Sequence, residues 1–320
     1  MRLPPAFAVL PVALLTPWLA LAEPTAVDLN AAAKRGEAWA MLELGRRSIG
    51  GDGVKRDQPA ALRWFRKAAE LGLAEAQFEL GRLLLLGRGA ESDPVGGVDF
   101  LHKAATAGWL PAQVALAEAL ASGRGGERDI DGAALWYRSA GMAGHLDAQV
   151  ALARLSRAKG EAAEAESWLR RAARGGSAAG RHELWRLLRD GKGVSARSVE
   201  ALQWLLLAVE QNYAPALADL GQAHIEGIDA QLDLAKGVGL LRRAADQGQP
   251  DALMALARLH LSGRGVVKDP VRALTMAELA LTLGLADAKT ERDALAASLK
   301  PAQIAEARRV ARQWRDGRSF

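Results

Sequence analysis

An all-α solenoid, in which one helix pair stacks on the next, is the fold class this chain predicts. Three observations point to it. A pattern returns with a period of 36 through most of the 320 residues, and periods of roughly 20–50 residues mark solenoids and arrays. Each period holds two apolar-periodic stretches separated by a glycine turn, the layout of a helix, a turn and a second helix. Alanine, leucine and arginine are abundant in the composition, and all three favour helix over sheet. With 50% of its residues hydrophobic, the chain has enough apolar surface to escape disorder.

The first residues, MRLPPAFAVLPVALLTPWLALAE, carry one early charge (Arg2), then an apolar run from Ala6 to Leu19, and then Ala20-Leu21-Ala22. This is the form of a secretory signal peptide cut after Ala22. The run is shorter than the ~20 residues of a spanning helix, and Pro11 and Pro17 interrupt it, so no stable membrane span is expected after cleavage. The chain has no cysteine. Lipoprotein acylation at a cysteine, disulfides and thiol chemistry are therefore excluded, and an exported cysteine-free chain fits a bacterial periplasm or the extracellular space. The formal charge of +5 falls to +4 when Arg2 leaves with the signal. Basic and acidic residues intermix along the repeats, whereas a nucleic-acid footprint needs a clustered basic patch; no nucleic acid is expected.

The mature chain divides into a linker and N-terminal half-repeat (23–36), seven repeats (37–284) and C-terminal capping helices (285–320). In the half-repeat, Ala32, Ala33 and Gly36 fall in phase with Ala68, Ala69 and Gly72. The seven units begin at Glu37, Leu73, Trp109, His145, Ser177, Tyr213 and Gln249. Their eighth residue is always leucine, from Leu44 to Leu256, and their fourth is alanine except for Gly180. Four apart on a helix, these positions share one face. The ninth is Gly45, Gly81, Ala117, Ala153, Trp185, Gly221 and Ala257, and small residues there let paired helices approach closely.

The turn is G-x-G in five units, as in Gly51-Asp52-Gly53. A phosphate-binding loop follows a strand, whereas these turns follow a helix and recur in the units. The second helix carries Trp64, Phe100, Trp136, Trp168, Trp204, Leu240 or Met276, with alanine four residues on. Recurrence on the alanine face reads as inter-repeat core rather than a stacking platform for sugars or bases. Each unit closes with glycine except at Asn212, which also tolerates a left-handed cap. From Leu285 the chain starts an eighth first helix with Ala288 in phase, and Pro301 opens an amphipathic segment to Trp314.

Ala40, Leu44, Gly45, then Gly51, Gly53, Val54, then Ala61, Trp64, Phe65, Lys67, Ala68, Ala69 and Gly72 together resemble the Sel1-like repeat, a relative of the tetratricopeptide repeat. The resemblance covers about residues 27 to 316. It implies a right-handed α/α superhelix whose first helices line a concave surface. It also implies a protein-binding adaptor of the bacterial envelope, with roles ranging over signalling, exopolysaccharide or secretion machinery. The pattern breaks in unit four, which lacks four residues between its helices, in unit five at Trp185, and in unit six at Gly227-Ile228-Asp229.

No catalytic residue, metal ligand or cofactor site is expected. His224 and His260 hold equivalent repeat positions, but no third ligand with zinc-type spacing accompanies them. The tenth position is Arg46, Arg82, Glu118, Arg154, Arg186, Gln222 and Arg258. Its five arginines form either a solvated face balanced by nearby glutamates or a track for an acidic or extended peptide. Trp39, Trp109 and Trp185 lie outside the recurrent core series and are candidate exposed anchors. Two other functions remain in view. A cell-wall or β-lactam-related enzyme would follow relatives whose units carry paired cysteines, which this chain lacks. A carbohydrate-binding scaffold would use exposed tryptophans.

Overall fold

The computed structural model describes residues 24–87, 92–191, 193 and 198–315. Among these are seventeen α-helices and no strand. The expected signal segment, 1–22, and the last residues, 316–320, lie outside them. The chain is an α/α solenoid in two compact units, Met1–Trp109 and Leu110–Phe320.

In the first unit, α1 (Ala26–Lys34) is the half-repeat, and α2 (Ala38–Gly50) with α3 (Gln58–Glu70) and α4 (Ala74–Leu86) with α5 (Pro94–Thr106) are the helix pairs. The second unit holds the pairs α6 (Leu110–Ser122) and α7 (Ile130–Met142), α8 (Leu146–Ala158) and α9 (Ala162–Arg174), and α10 (Ala178–Asp190) and α11 (Ser198–Glu210). After them come α12 (Ala214–Glu226) with α13 (Leu234–Asp246), and α14 (Pro250–Ser262) with α15 (Pro270–Thr282). Two shorter-range elements, α16 (Ala288–Ala297) and α17 (Pro301–Arg315), follow.

Local chemistry sets these boundaries. Asp57, Asp93, Asp129, Asp233 and Asp269 each cap a second helix by accepting a hydrogen bond from the backbone N–H three residues on. Such a cap is worth about 0.5–2 kcal/mol over alanine. These aspartates also keep the repeat register, a signal the glycine and leucine series overshadows in the sequence. The first helices α2, α4, α10, α12 and α14 end on a left-handed glycine, such as Gly51 at φ 89°. Where the pattern lacks glycine, polar residues take the same backbone: Asn212 has φ 57° and Asp229 has φ 62°. Short polar side chains tolerate that region best among non-glycine residues, so unit six keeps its turn despite the changed sequence. In unit four, α8 and α9 are joined by only three residues, Lys159 to Glu161, and Gly160 alone supplies the positive φ.

The core corrects one expectation in detail. The tryptophan series packs between helices, yet Trp64, Phe100, Trp136 and Trp204 are only half-buried at its edge. The next residue goes deepest: Phe65, Leu101, Tyr137, Leu169, Leu205, Leu241 and Ala277 are all buried. One step along a helix is about 100° of rotation, enough to exchange the rim for the centre. Burial pushes the Tyr137 phenol up to about 12. The small ninth residues do bring paired helices together: a Cβ on Gly81 would lie 2.8 Å from the Gly97 carbonyl oxygen, and one on Gly97 would lie 2.8 Å from the Gly81 carbonyl oxygen.

At the C-terminal end, α16 and α17 cover α15. Ala307 and Leu295 are buried, and Glu278 on α15 bonds Arg292 at 3.1 Å and Arg308 at 3.0 Å.

Candidate functional site

The first helices α2, α4, α8, α10 and α14 carry the five tenth-position arginines, and each of these arginines is exposed. In the first unit, Arg46 on α2 reaches Glu75 on α4, and Arg82 pairs with Glu79 on its own helix at 3.1 Å. In the second unit, Arg154 on α8 reaches Glu183 on α10 at 2.9 Å, and Arg157 takes the other oxygen of Glu183 at 3.0 Å. Arg258 on α14 grips Glu291 on α16 through two nitrogens, and that hydrogen bond holds the Glu291 carboxyl below the usual range. Four of the five arginines are thus balanced by carboxylates. Exposed pairs of this kind contribute about 0–1 kcal/mol each, so their main effect is to hold the face in one arrangement.

Arg186 breaks the series. It stands to Asp219 as Arg154 stands to Glu183, ten residues into one unit facing seven residues into the next. Asp219 is already taken: His182 Nε2 donates to its Oδ2 at 2.6 Å. The His182 ring is buried, stacked on Trp185 with centroids 5.4 Å apart and tilted against Tyr213 at 5.6 Å. Burial of the Tyr213 phenol raises its pKa. Among the described residues, no carboxylate pairs with Arg186.

The three tryptophans outside the core series separate. Trp39 is 51% exposed, its indole N–H bonded to Glu37 at 2.9 Å. Trp109 is half-buried, with its indole nitrogen buried and without an acceptor. Trp185 is not the exposed anchor the sequence suggests. It is 4% exposed and belongs to the core of the second unit. The Arg189 guanidinium lies 4.4 Å from its ring centroid, covering from one turn ahead what His182 covers from one turn behind. A large residue in a small residue's place has been absorbed by neighbours on its own helix.

His224 and His260 are buried, and their Nδ1 atoms bond the carbonyls of Gln231 and Val267 at 2.8 and 3.0 Å. Each histidine therefore secures the turn of its own unit. No cluster of three or more metal-ligating side chains occurs among the described residues.

The geometry now has its comparison. The sequence model of the Sel1 repeat matches seven stretches, 40–73, 74–109, 110–145, 147–177, 186–213, 214–249 and 250–285. Together they span more than half of the chain. The chain belongs to the Sel1 repeat family. The fifth stretch starts only at Arg186, past the segment holding His182 and Trp185, where this member departs from the pattern. Repeats of this family generally mediate protein interactions.

Among solved structures, a Sel1 repeat protein from Oxalobacter formigenes is 27% identical with a TM-score of 0.68, covering 90% of this chain and 89% of that one. A protective antigen present in uropathogenic Escherichia coli strains, which displays an SLR fold, is 25% identical with a TM-score of 0.58, covering 90% of this chain and 71% of that one. Comparison with curated proteins returns no match. No helix among the described residues is long and apolar enough to cross a membrane.

Proposed function

We propose that this Sel1 repeat protein is an exported, non-enzymatic scaffold that holds a protein or extended peptide on the face formed by the first helices of its second unit, within bacterial envelope signalling, exopolysaccharide or secretion machinery. The observation that carries this reading is Arg186: an exposed guanidinium whose register partner, Asp219, is engaged by His182. The surrounding ion pairs hold that face before any partner arrives, and preorganisation favours affinity by lowering the ordering cost of association. Arginine is enriched among residues that dominate interface energies.

Capture of a partner from envelope extract tests the assignment. Arg186→Glu is expected to reduce recovery of the partner by roughly tenfold or more, while Arg46→Ala, which removes a guanidinium already paired within the chain, leaves it close to wild type. Equal recovery by wild type and Arg186→Glu would remove Arg186 from the partner surface. Export is tested separately. Mass spectrometry of the envelope fraction is expected to find a chain beginning at Glu23, and an intact Met1 terminus confined to the cytosol would overturn it.

A further inference from the structure

Two clefts lie side by side in the second unit and share a border. The first, about 390 Å³, is enclosed by α12, α14 and the start of α16. Its walls present Asp219, Asp251, Asp287 and Glu291 against one cation, Arg258. The second, about 300 Å³, lies between α14 and α16, and its surface is mainly apolar, with Leu261 and Leu295 as its large side chains. Arg258 and Glu291 line both, so their two-nitrogen ion pair forms a rib between an acidic hollow and an apolar one.

We propose that this double cleft binds an extended segment of a partner protein in which a lysine or arginine is followed closely by a large aliphatic side chain. The cation would enter between Asp219, Asp251 and Asp287, and the aliphatic group would rest on Leu261 and Leu295. This rests on the scaffold reading above and supplies the chemical class of the partner. Charge complementarity selects the occupant. Asp251 accepts a hydrogen bond from the Gln249 amide at 3.0 Å and feels the Arg258 guanidinium only through space; neither Asp251 nor Asp287 forms a salt bridge among the described residues. An anionic segment would meet four carboxylates with the one arginine already committed. Beside them, Leu261 is 42% exposed, apolar surface that a bound side chain would remove from water. The arginine series read alone suggests an acidic partner; on α12, α14 and α16 the charge runs the other way.

Fluorescence anisotropy with the processed chain tests this directly. The probe is a labelled Gly-Gly-Arg-Leu-Gly-Arg-Leu-Gly-Gly peptide, with glutamate in place of arginine, or serine in place of leucine, in the two controls. The arginine–leucine probe is expected to bind more tightly than either control. The double variant Asp251→Asn/Asp287→Asn should weaken it about tenfold, as expected for two exposed charge contacts, and Leu261→Ser should also weaken it. All three positions are exposed, and circular dichroism verifies that the variants keep their helices. Equal affinity for the glutamate control, unchanged binding by the aspartate variants, or no binding of the probe would overturn the proposal. So would a concentration-dependent dimer abolished by the same substitutions, which would place a second copy of the chain in the cleft. Arg186→Glu puts a further negative charge near Asp219 and is expected to leave the probe bound at least as tightly as by wild type. Loss of partner capture in that variant with probe binding intact therefore separates the two surfaces, and failure of the probe with capture intact overturns the cleft alone.

Discussion

Replacing Trp185 by alanine is expected to destabilise the second unit by about 3–5 kcal/mol, the range for truncating a buried large aromatic. The side chain is almost wholly enclosed, and its loss would empty the space between the His182 ring and the Arg189 guanidinium. His182 would lose the ring that holds it toward Asp219, so the variant is also expected to loosen that hydrogen bond and release Asp219 toward Arg186. Urea unfolding followed by circular dichroism reads the first effect. Because repeat arrays need not unfold in one step, hydrogen exchange resolved by helix should show α10 and its neighbours losing protection first. A Trp185→Ala protein as resistant to urea as wild type would mean that the indole is not part of the core. A partner contact at Trp185 would instead lower affinity with the unfolding midpoint unchanged.

Gly81→Val is expected to cost about 3 kcal/mol, the upper part of the usual overpacking range. A Cβ at Gly81 would meet fixed backbone as well as a side chain: the Gly97 oxygen at 2.8 Å, the Leu101 Cγ at 2.9 Å and the Leu101 nitrogen at 3.0 Å. Only separation of α4 from α5 would relieve it, and that would uncover Leu80 and Leu101, both fully buried. The matched control is Gly239→Ala on α13, where nothing lies within 4 Å. There the helix gains about 0.5–1 kcal/mol, because alanine loses less backbone freedom on folding. The two substitutions should shift the thermal midpoint in opposite directions. An unshifted midpoint for Gly81→Val would refute the close backbone contact between the helices of this repeat.

Much of the fold was legible because a solenoid writes its architecture locally. The Leu44 to Leu256 series, the alanines four residues before it and the glycine turns each depend on one helix or one turn, and each repeats. Asn212 and Asp229 could be read in the same way, since tolerance of a left-handed backbone belongs to the residue itself. The deepest core position was harder. Trp64 and Phe65 are adjacent and both apolar, so periodicity alone leaves the choice between them to about 100° of helix rotation. The aspartate caps were visible at the repeat spacing but carry no apolar signal.

The candidate site was legible only in part. The arginine series is a fact of the sequence, yet its electrostatic meaning depends on acceptors 26 to 37 residues away, such as Glu183 for Arg154 and Arg157 and Asp219 for His182. Three apart in sequence, His182 and Trp185 look like ordinary departures; in space they decide which arginine is left over. By itself the sequence determined the helices, their order, their caps and the stacked-pair architecture, because these follow from backbone preferences and apolar spacing within some 36 residues. Only the tertiary structure decided which charges are neutralised, which tryptophan is hidden and where an acidic hollow adjoins an apolar one. Those outcomes are competitions between side chains on different helices, settled by distances that exist only once the repeats are stacked.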